Sequence, residues 1–202
     1  SISKNKTFEK STLFNIAQEI CFFKCNNFIY VLSAIQTLKK NTFAKMKITI
    51  YTDGSAKGNP GNGGFGTVMI AGKHYKEVSE GFRLTTNNRM ELLAVIVGLE
   101  LLKKPGMDVT LYSDSKYVVD SVEKGWLMGW VKKGFKGKKN VDLWKRFLSI
   151  YEKHNVSFIW VKGHAGNKYN EVCDQLAVDA ADQANLPPDE GYEASQKEQG
   201  LF

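Results

Sequence analysis

The sequence predicts an α/β domain built on a mixed five-stranded sheet that helices flank, with the first three strands antiparallel. Two observations support this fold class. Three strand-like segments follow one another between residues 47 and 83, and beyond residue 85 helical and strand-like segments alternate. Because no internal repeat or low-complexity tract divides the chain, a single domain of this class is the simplest architecture.

The first three strands are predicted over residues 47–52, 64–71 and 75–83. The first is rich in β-branched residues and delivers Asp53 to its end, where a glycine-rich turn follows. Gly72 and Lys73 separate the second strand from the third, which suits a tight hairpin. The pattern therefore predicts three consecutive antiparallel strands.

The second half of the domain alternates helix and strand. Residues 89–102 predict a largely buried helix with Glu91 in its first turn, and 108–113 predict a strand with Asp114 at its end. Helices over 116–122 and 140–153, a buried strand over 156–161 and a helix over 169–184 follow. The last helix carries Asp174.

Positive charge is distributed unevenly along the chain. The 202 residues carry a net charge of +7, and residues 124–146 hold eight Lys/Arg against one acid, which favours a polyanionic partner. We predict an N-terminal extension of unknown role over 1–45, a folded domain over 46–192 and a polar tail over 193–202, with poor order expected beyond Pro187-Pro188. Three cysteines support neither a disulfide framework nor a zinc site, and no apolar run is long enough to span a membrane.

Four acids occupy positions that suit metal chemistry: Asp53, Glu91, Asp114 and Asp174. Mg²⁺ prefers a few carboxylate oxygens and keeps water, and two such ions can serve both sides of a phosphodiester displacement. Each acid also has an ordinary structural explanation, as a turn residue, a helix-start acid or a solvated helix face. The residues alone leave these alternatives open.

Five motifs resemble those of type 1 ribonuclease H of the bacterial kind, in the same order and spacing over residues 46–192. They are Tyr51-Thr-Asp-Gly-Ser55 with Gly58-Asn-Pro-Gly61, Thr86-Asn-Asn-Arg-Met-Glu91, Tyr112-Ser-Asp-Ser115, Val161-Lys-Gly-His-Ala-Gly166, and Asn170 with Cys173-Asp174. The resemblance implies the ribonuclease H-like fold with a basic handle, a protrusion over residues 126–146 that grips the DNA strand of the hybrid. It also implies an endonuclease that hydrolyses the RNA strand of RNA–DNA hybrids and leaves 5′-phosphate and 3′-hydroxyl ends.

The resemblance further implies a role for each site residue. Two Mg²⁺ ions per site, or Mn²⁺, are expected with substrate bound, and His164 resembles a histidine that shuttles protons or aids product release. The catalytic set is Asp53, Glu91, Asp114, His164 and Asp174, of which the four acids bind metal. The substrate set is Asn59, Thr86, Asn87, Asn88, Lys116, Trp126, Trp130, Lys136, Lys138, Lys139, Asn140 and Asn170.

Ordinary alternatives exist for the substrate contacts. The amides suit turns and caps, the lysines suit a solvated basic face, and core packing is expected of Trp126 and Trp144. The chain also departs from the family at two places. Leu84 stands where an arginine is expected, with Arg83 beside it, and Lys116 stands where an amide is common.

Three other functions are less favoured than hybrid cleavage. A binding module without activity is disfavoured by the intact acids, and a transposase, integrase or resolvase core by the loop motif around His164. A reverse transcriptase fragment is disfavoured by the handle and the complete last helix. We predict a monomeric enzyme of the bacterial cytoplasm, with an organelle as the lesser alternative, that binds RNA–DNA hybrid and no membrane.

Overall fold

The computed structural model describes residues 47–198 and residue 200, and the predicted N-terminal extension lies outside them. Five strands and six helices are found there. The strands are β1 (Ile48–Gly58), β2 (Gly61–Ala71), β3 (His74–Thr85), β4 (Asp108–Ser113) and β5 (Asn155–Trp160). The helices are α1 (Asn87–Glu100), α2 (Lys116–Glu123), α3 (Trp126–Lys132), α4 (Val141–Tyr151), α5 (Lys168–Ala181) and α6 (Glu190–Glu198).

The five strands form one mixed sheet in the order β3-β2-β1-β4-β5. Strands β1, β2 and β3 are antiparallel, while β4 and β5 run parallel to β1. Ala71 pairs with His74 across the two-residue turn at Gly72 and Lys73. The predicted fold class, strand directions and hairpin are therefore confirmed.

Glycines let helices α1 and α5 approach opposite faces of the sheet. A Cβ at Gly66 would lie 2.1 Å from the carbonyl oxygen of Cys173 on α5. A Cβ at Gly54 would lie 2.2 Å from the backbone nitrogen of Glu91 on α1. Because backbone approaches this close exclude any side chain, the glycine-rich sequence around Asp53 serves helix packing as well as turn formation.

The core lies between the sheet and helices α1, α2 and α4. The helix α1 is apolar on most of its surface and buries nine residues, as predicted. Trp144 and Phe147 of α4 are fully buried and contact each other edge to face at 5.6 Å. The expectation of core packing is therefore correct for Trp144.

Three predictions about the elements are wrong. Strand β1 does not stop at Asp53 but continues to Gly58, because β2 pairs with it along this whole length. Strand β5 lies at the edge of the sheet, and of its residues only Phe158 is buried. The expectation of poor order beyond Pro187-Pro188 is wrong for residues 190–198, which form helix α6, because Asp189 directly before it is held by Arg89 of the domain. In the described part of the chain no helix is long and apolar enough to cross a membrane.

Candidate active site

Asp53 lies where the sheet divides. The parallel pairing of β1 with β4 ends at Thr52 and Ser113, while β1 continues beside β2 alone. The side chain is only 8% exposed, and Oδ1 accepts a hydrogen bond of 2.7 Å from the backbone N–H of Gly54. Asp53 is therefore a buried carboxylate at a gap between strands, although it is not at a strand end.

Glu91 lies in the second turn of α1, because the helix begins at Asn87, two residues earlier than predicted. The amide of Asn87 donates to Glu91 Oε1 at 2.8 Å, and the hydroxyl of Ser115 donates to Oε2. Both carboxylate oxygens are thus held by neighbours. The placement in the first turn, with its explanation by the helix dipole, is wrong.

Asp114 directly follows β4 and precedes α2. Its Oδ2 accepts a hydrogen bond of 3.4 Å from the Asn170 amide of α5. The indole N–H of Trp160 donates to the Asp114 carbonyl oxygen at 2.9 Å, which fixes the backbone at this position. A Cβ at Gly163 would lie 2.5 Å from Asp114 Oδ2, so the loop of His164 passes against this carboxylate.

Asp174 and His164 occupy the solvent side of the same region. Asp174 lies on α5 with 35% of its side chain exposed, and its Oδ2 is 3.6 Å from Nδ1 of His164. His164 is 81% exposed and has a φ of 51°, a conformation rare for a residue with a side chain. The loop therefore presents an imidazole to solvent beside one of the four acids.

The four acids share one electrostatic environment. Burial, followed by the charge of Asp114, raises the pKa of Asp53 to about 8, and Asp174 and Glu91 add smaller effects. Burial also raises the pKa of Glu91 to about 6, although the hydrogen bond from Ser115 opposes the shift. The four carboxylates, which are spread over 122 positions of the sequence, therefore interact electrostatically in the fold.

The donor set fits a hard divalent cation. Carboxylate and amide oxygens are the ligands that Mg²⁺ accepts, and a cation would offset both the burial and the repulsion by Asp114 that raise the pKa of Asp53. The amide oxygen Oδ1 of Asn170 is buried without a hydrogen-bond partner beside Asp114. Between residues 47 and 198, no three acid, imidazole or thiol groups are close enough to form a ready-made metal site. An ion would therefore have to draw these like charges together.

A cleft of about 1020 Å³ lies beside the acids, although none of the four lines it. Thr86, directly before α1, and Asn88, in its first turn, line the cleft. The side-chain amide of Asn87, which lies between them in the sequence, donates a hydrogen bond to Glu91. Of the substrate residues predicted from the sequence, those that line the cleft are Asn59, Thr86, Asn88, Trp126, Trp130, Lys138, Lys139 and Asn140. The fold therefore collects residues from four separate segments on one surface.

The remaining predicted contacts are placed differently. Asn170 lies beside Asp114, and the ammonium of Lys116 lies 5.0 Å from the ring centre of Trp160 near the same acid. Lys136 is exposed and does not line the cleft. Arg83 pairs with Glu193 on α6 at 2.9 Å and does not line the cleft either.

The tryptophans of the basic segment divide between core and surface. Trp126 is 48% exposed, so the expectation of core packing is wrong for it, because Leu127 is the residue that α3 buries and the neighbouring Trp126 faces solvent. The ammonium of Lys138 lies 4.8 Å from the ring centre of Trp130, which in turn contacts Trp144 at 5.5 Å. Trp130 thus connects the basic surface to the core.

Three residues of the site were not predicted from the sequence. Ser115 donates a hydrogen bond to Glu91, and Trp160 donates one to the Asp114 carbonyl oxygen. Tyr117 lines the cleft, and its hydroxyl accepts a hydrogen bond of 3.2 Å from Asn140. Ser115 lies within one of the five motifs, but nothing in its position alone indicates that it reaches another helix. Hydrogen bonds between distant segments have no periodic signature in a sequence.

Comparison with known proteins gives a consistent family. A sequence profile of the RNase H family matches residues 45–182. The ribonuclease H of Desulforamulus reducens is 58% identical over 155 residues, which cover 74% of this chain and 96% of that protein. The ribonuclease H of Rippkaea orientalis is 56% identical over 152 residues, covering 73% and 93% respectively.

Solved structures share the same architecture. A crystal structure of LC9-RNase H1, described as a type 1 RNase H with the type 2 active-site motif, matches with a TM-score of 0.62. It is 31% identical and the match covers 75% of this chain and 81% of that one. LC11-RNase H1 in complex with RNA/DNA hybrid matches with a TM-score of 0.55 at 28% identity, covering 68% and 98%.

Proposed function

This chain belongs to the RNase H family and is a ribonuclease H enzyme, and on that premise we propose that it hydrolyses the RNA strand of RNA–DNA hybrids. We further propose two-metal catalysis that leaves 5′-phosphate and 3′-hydroxyl ends. The observation that carries the proposal is that Asp114, Asp174 and Glu91 all act electrostatically on the buried carboxylate of Asp53, in a domain that also has a basic, amide-rich cleft. Strand discrimination suits amides, because the 2′-hydroxyl both donates and accepts hydrogen bonds.

In this proposal Asp53, Glu91, Asp114 and Asp174 hold the divalent ions. Bound ions of this kind supply an activated water and stabilise charge on the phosphate and the leaving oxygen. Gly54, Ser115 and Asn170 orient the carboxylate oxygens through their hydrogen bonds. His164 is exposed beside Asp174, and in this proposal it moves a proton to or from the leaving oxygen.

The cleft supports binding of a nucleic-acid backbone without regard to sequence. Lys138 and Lys139 supply positive charge, and Asn140 and Thr86 supply polar groups for phosphate oxygens. Exposed Trp126 offers an apolar ring face at the rim. The RNA strand then lies over the carboxylates and the DNA strand lies in the cleft.

Cleavage assays test the reaction directly. Labelled RNA–DNA hybrid, RNA duplex and DNA duplex are incubated with the protein in Mg²⁺ and in EDTA, and the ends of the products are identified. We expect cleavage of hybrid RNA alone, with loss of activity in EDTA and in Asp53→Asn and Asp114→Asn. Asp179→Asn, an exposed change of the same kind on α5, is the matched control and should remain active. Activity retained in EDTA would overturn the metal mechanism.

Salt dependence tests the cleft. Replacing Lys138 and Lys139 with Ala should raise KM and reduce the slope of log KM against log salt by about one for each phosphate that the variant no longer neutralises. The matched control replaces Lys103 and Lys104, an exposed pair that does not line the cleft. An equal slope in both double variants would contradict the role given to the cleft.

The monomeric state and the cytoplasmic location stay predictions, which gel filtration and cell fractionation can check.

A further inference from the structure

Helix α6 forms one wall of the cleft, although it lies outside the part of the chain that the family profile matches. The profile ends at residue 182, and α6 begins at Glu190. Tyr192, Ser195 and Gln196 of this helix line the same cavity as Lys138 and Asn140. The cavity is therefore completed by a segment that the matched domain does not include.

A buried ion pair at Asp189, directly before the first residue of α6, holds this helix against the domain. Asp189 is buried and accepts hydrogen bonds of 2.7 and 2.8 Å from the guanidinium of Arg89, which is buried as well. The hydroxyl of Thr85 also donates to Asp189, at 2.7 Å. Further along α6, Arg83 donates two hydrogen bonds of 2.9 Å to Glu193. The wall is thus anchored at two points rather than attached at a single one.

The anchors also determine the charge that the cleft presents. Arg89 and Asp142 both line the cleft but bind each other through two hydrogen bonds of 2.9 and 2.8 Å. Glu193 is neutralised by Arg83 and does not line the cavity. Lys138 and Lys139 therefore dominate the charge of the lining, opposite a wall of hydroxyl and amide groups on α6.

We propose that α6 is a substrate-binding element, whose Ser195 and Gln196 contact the sugar-phosphate backbone of the hybrid strand that lies against Lys138 and Lys139. This inference rests on the proposed function, since it takes the hybrid as the occupant. Neutral polar groups that line the same cavity as two cations can contact phosphate oxygens and sugar without reading base sequence. The helix widens the contact with the substrate beyond the segment matched by the family profile.

Substitutions of opposite charge at one position test the proposal. Gln196→Glu places an acid beside the backbone phosphates and Gln196→Lys places a cation there. We expect KM for hybrid to rise about fivefold in Gln196→Glu and to fall in Gln196→Lys, with kcat changed less than about twofold in both. Gln183→Glu and Gln183→Lys, at an exposed site that does not line the cleft, are the matched controls.

The two directions keep the test independent of folding, because a destabilised variant has no reason to bind more tightly. Equal KM values in the Gln196 and Gln183 pairs, or a rise in KM for both Gln196 variants, would overturn the proposal for α6. If the unmodified enzyme does not cleave hybrid at all, the proposed function fails instead. Binding of hybrid by the same Gln196 variants combined with Asp53→Asn, measured by fluorescence anisotropy, should show the same opposite shifts in Kd.

Discussion

Replacing Asp53 with Asn should stabilise the metal-free protein while it abolishes activity. The substitution keeps the shape of the side chain and the Oδ1 acceptor for Gly54, but it removes a buried negative charge near Asp114. Burial and neighbouring charges hold the pKa of Asp53 near 8 instead of 3.8. Between these two pH values the unfolded chain has an ionised carboxylate and the folded chain has a protonated one.

The magnitude follows from this difference in proton binding. Because the folded state binds more protons, the stability contributed by this group is lost as the pH rises from about 4 through about 8. At pH 7, about three pH units above the pKa of the unfolded carboxyl, each unit lowers the unfolding free energy by about 1.4 kcal/mol. The ionisable group at Asp53 therefore destabilises the folded state by roughly 4 kcal/mol. The side chain of Asp174 is partly exposed, so water screens part of the repulsion that acts on Asp53. The expected gain in unfolding free energy for Asp53→Asn is therefore roughly 2 to 4 kcal/mol.

Urea denaturation in EDTA at several pH values measures this gain. The difference in unfolding free energy between Asp53→Asn and the unmodified protein should be small at pH 4 and largest near pH 8. Saturating Mg²⁺ should reduce the difference, because the ion stabilises the unmodified site more. Asp179→Asn, at an exposed position, should change stability by less than about 0.5 kcal/mol at every pH. A gain in Asp53→Asn that does not vary with pH would refute the electrostatic explanation.

Three further changes test other parts of the structure. Asp189→Asn should lower the unfolding free energy by about 3 kcal/mol, because the buried guanidinium of Arg89 loses a negatively charged partner. A loss below about 1 kcal/mol would contradict the anchoring of α6. Ser115→Ala should move the acidic limb of the pH–rate profile upward by about one pH unit, because it removes a donor that lowers the pKa of Glu91; an unmoved limb would contradict this role. Gly66→Ala should lower the unfolding free energy by about 3 kcal/mol, because the added methyl group overlaps with α5. Gly129→Ala, in a helix and facing open space, should raise it by up to about 1 kcal/mol in the same denaturation assay.

Local periodicity explains what was predicted correctly about the fold. Strand β4 has the predicted limits because alternating burial and flanking turn residues are properties of adjacent positions. The same holds for the hairpin at Gly72 and for the buried helix α1. Errors arose where distant segments decide the outcome. Strand β1 continues past Asp53 because β2 pairs with it, and α6 forms where Asp189 meets Arg89.

The candidate site shows the same division. The residue types and their order along the chain selected four acids and a basic segment as candidates, because hard cations need carboxylates and polyanions need lysines. The resemblance of five motifs to type 1 ribonuclease H, and not the residue types alone, implied a catalytic role for the acids. Only the tertiary structure decides that Ser115 and Asn87 hold Glu91, that Arg83 is paired with Glu193, and that α6 completes the cleft. The physical reason is that these interactions depend on distances between elements far apart in sequence, which packing of the whole domain sets.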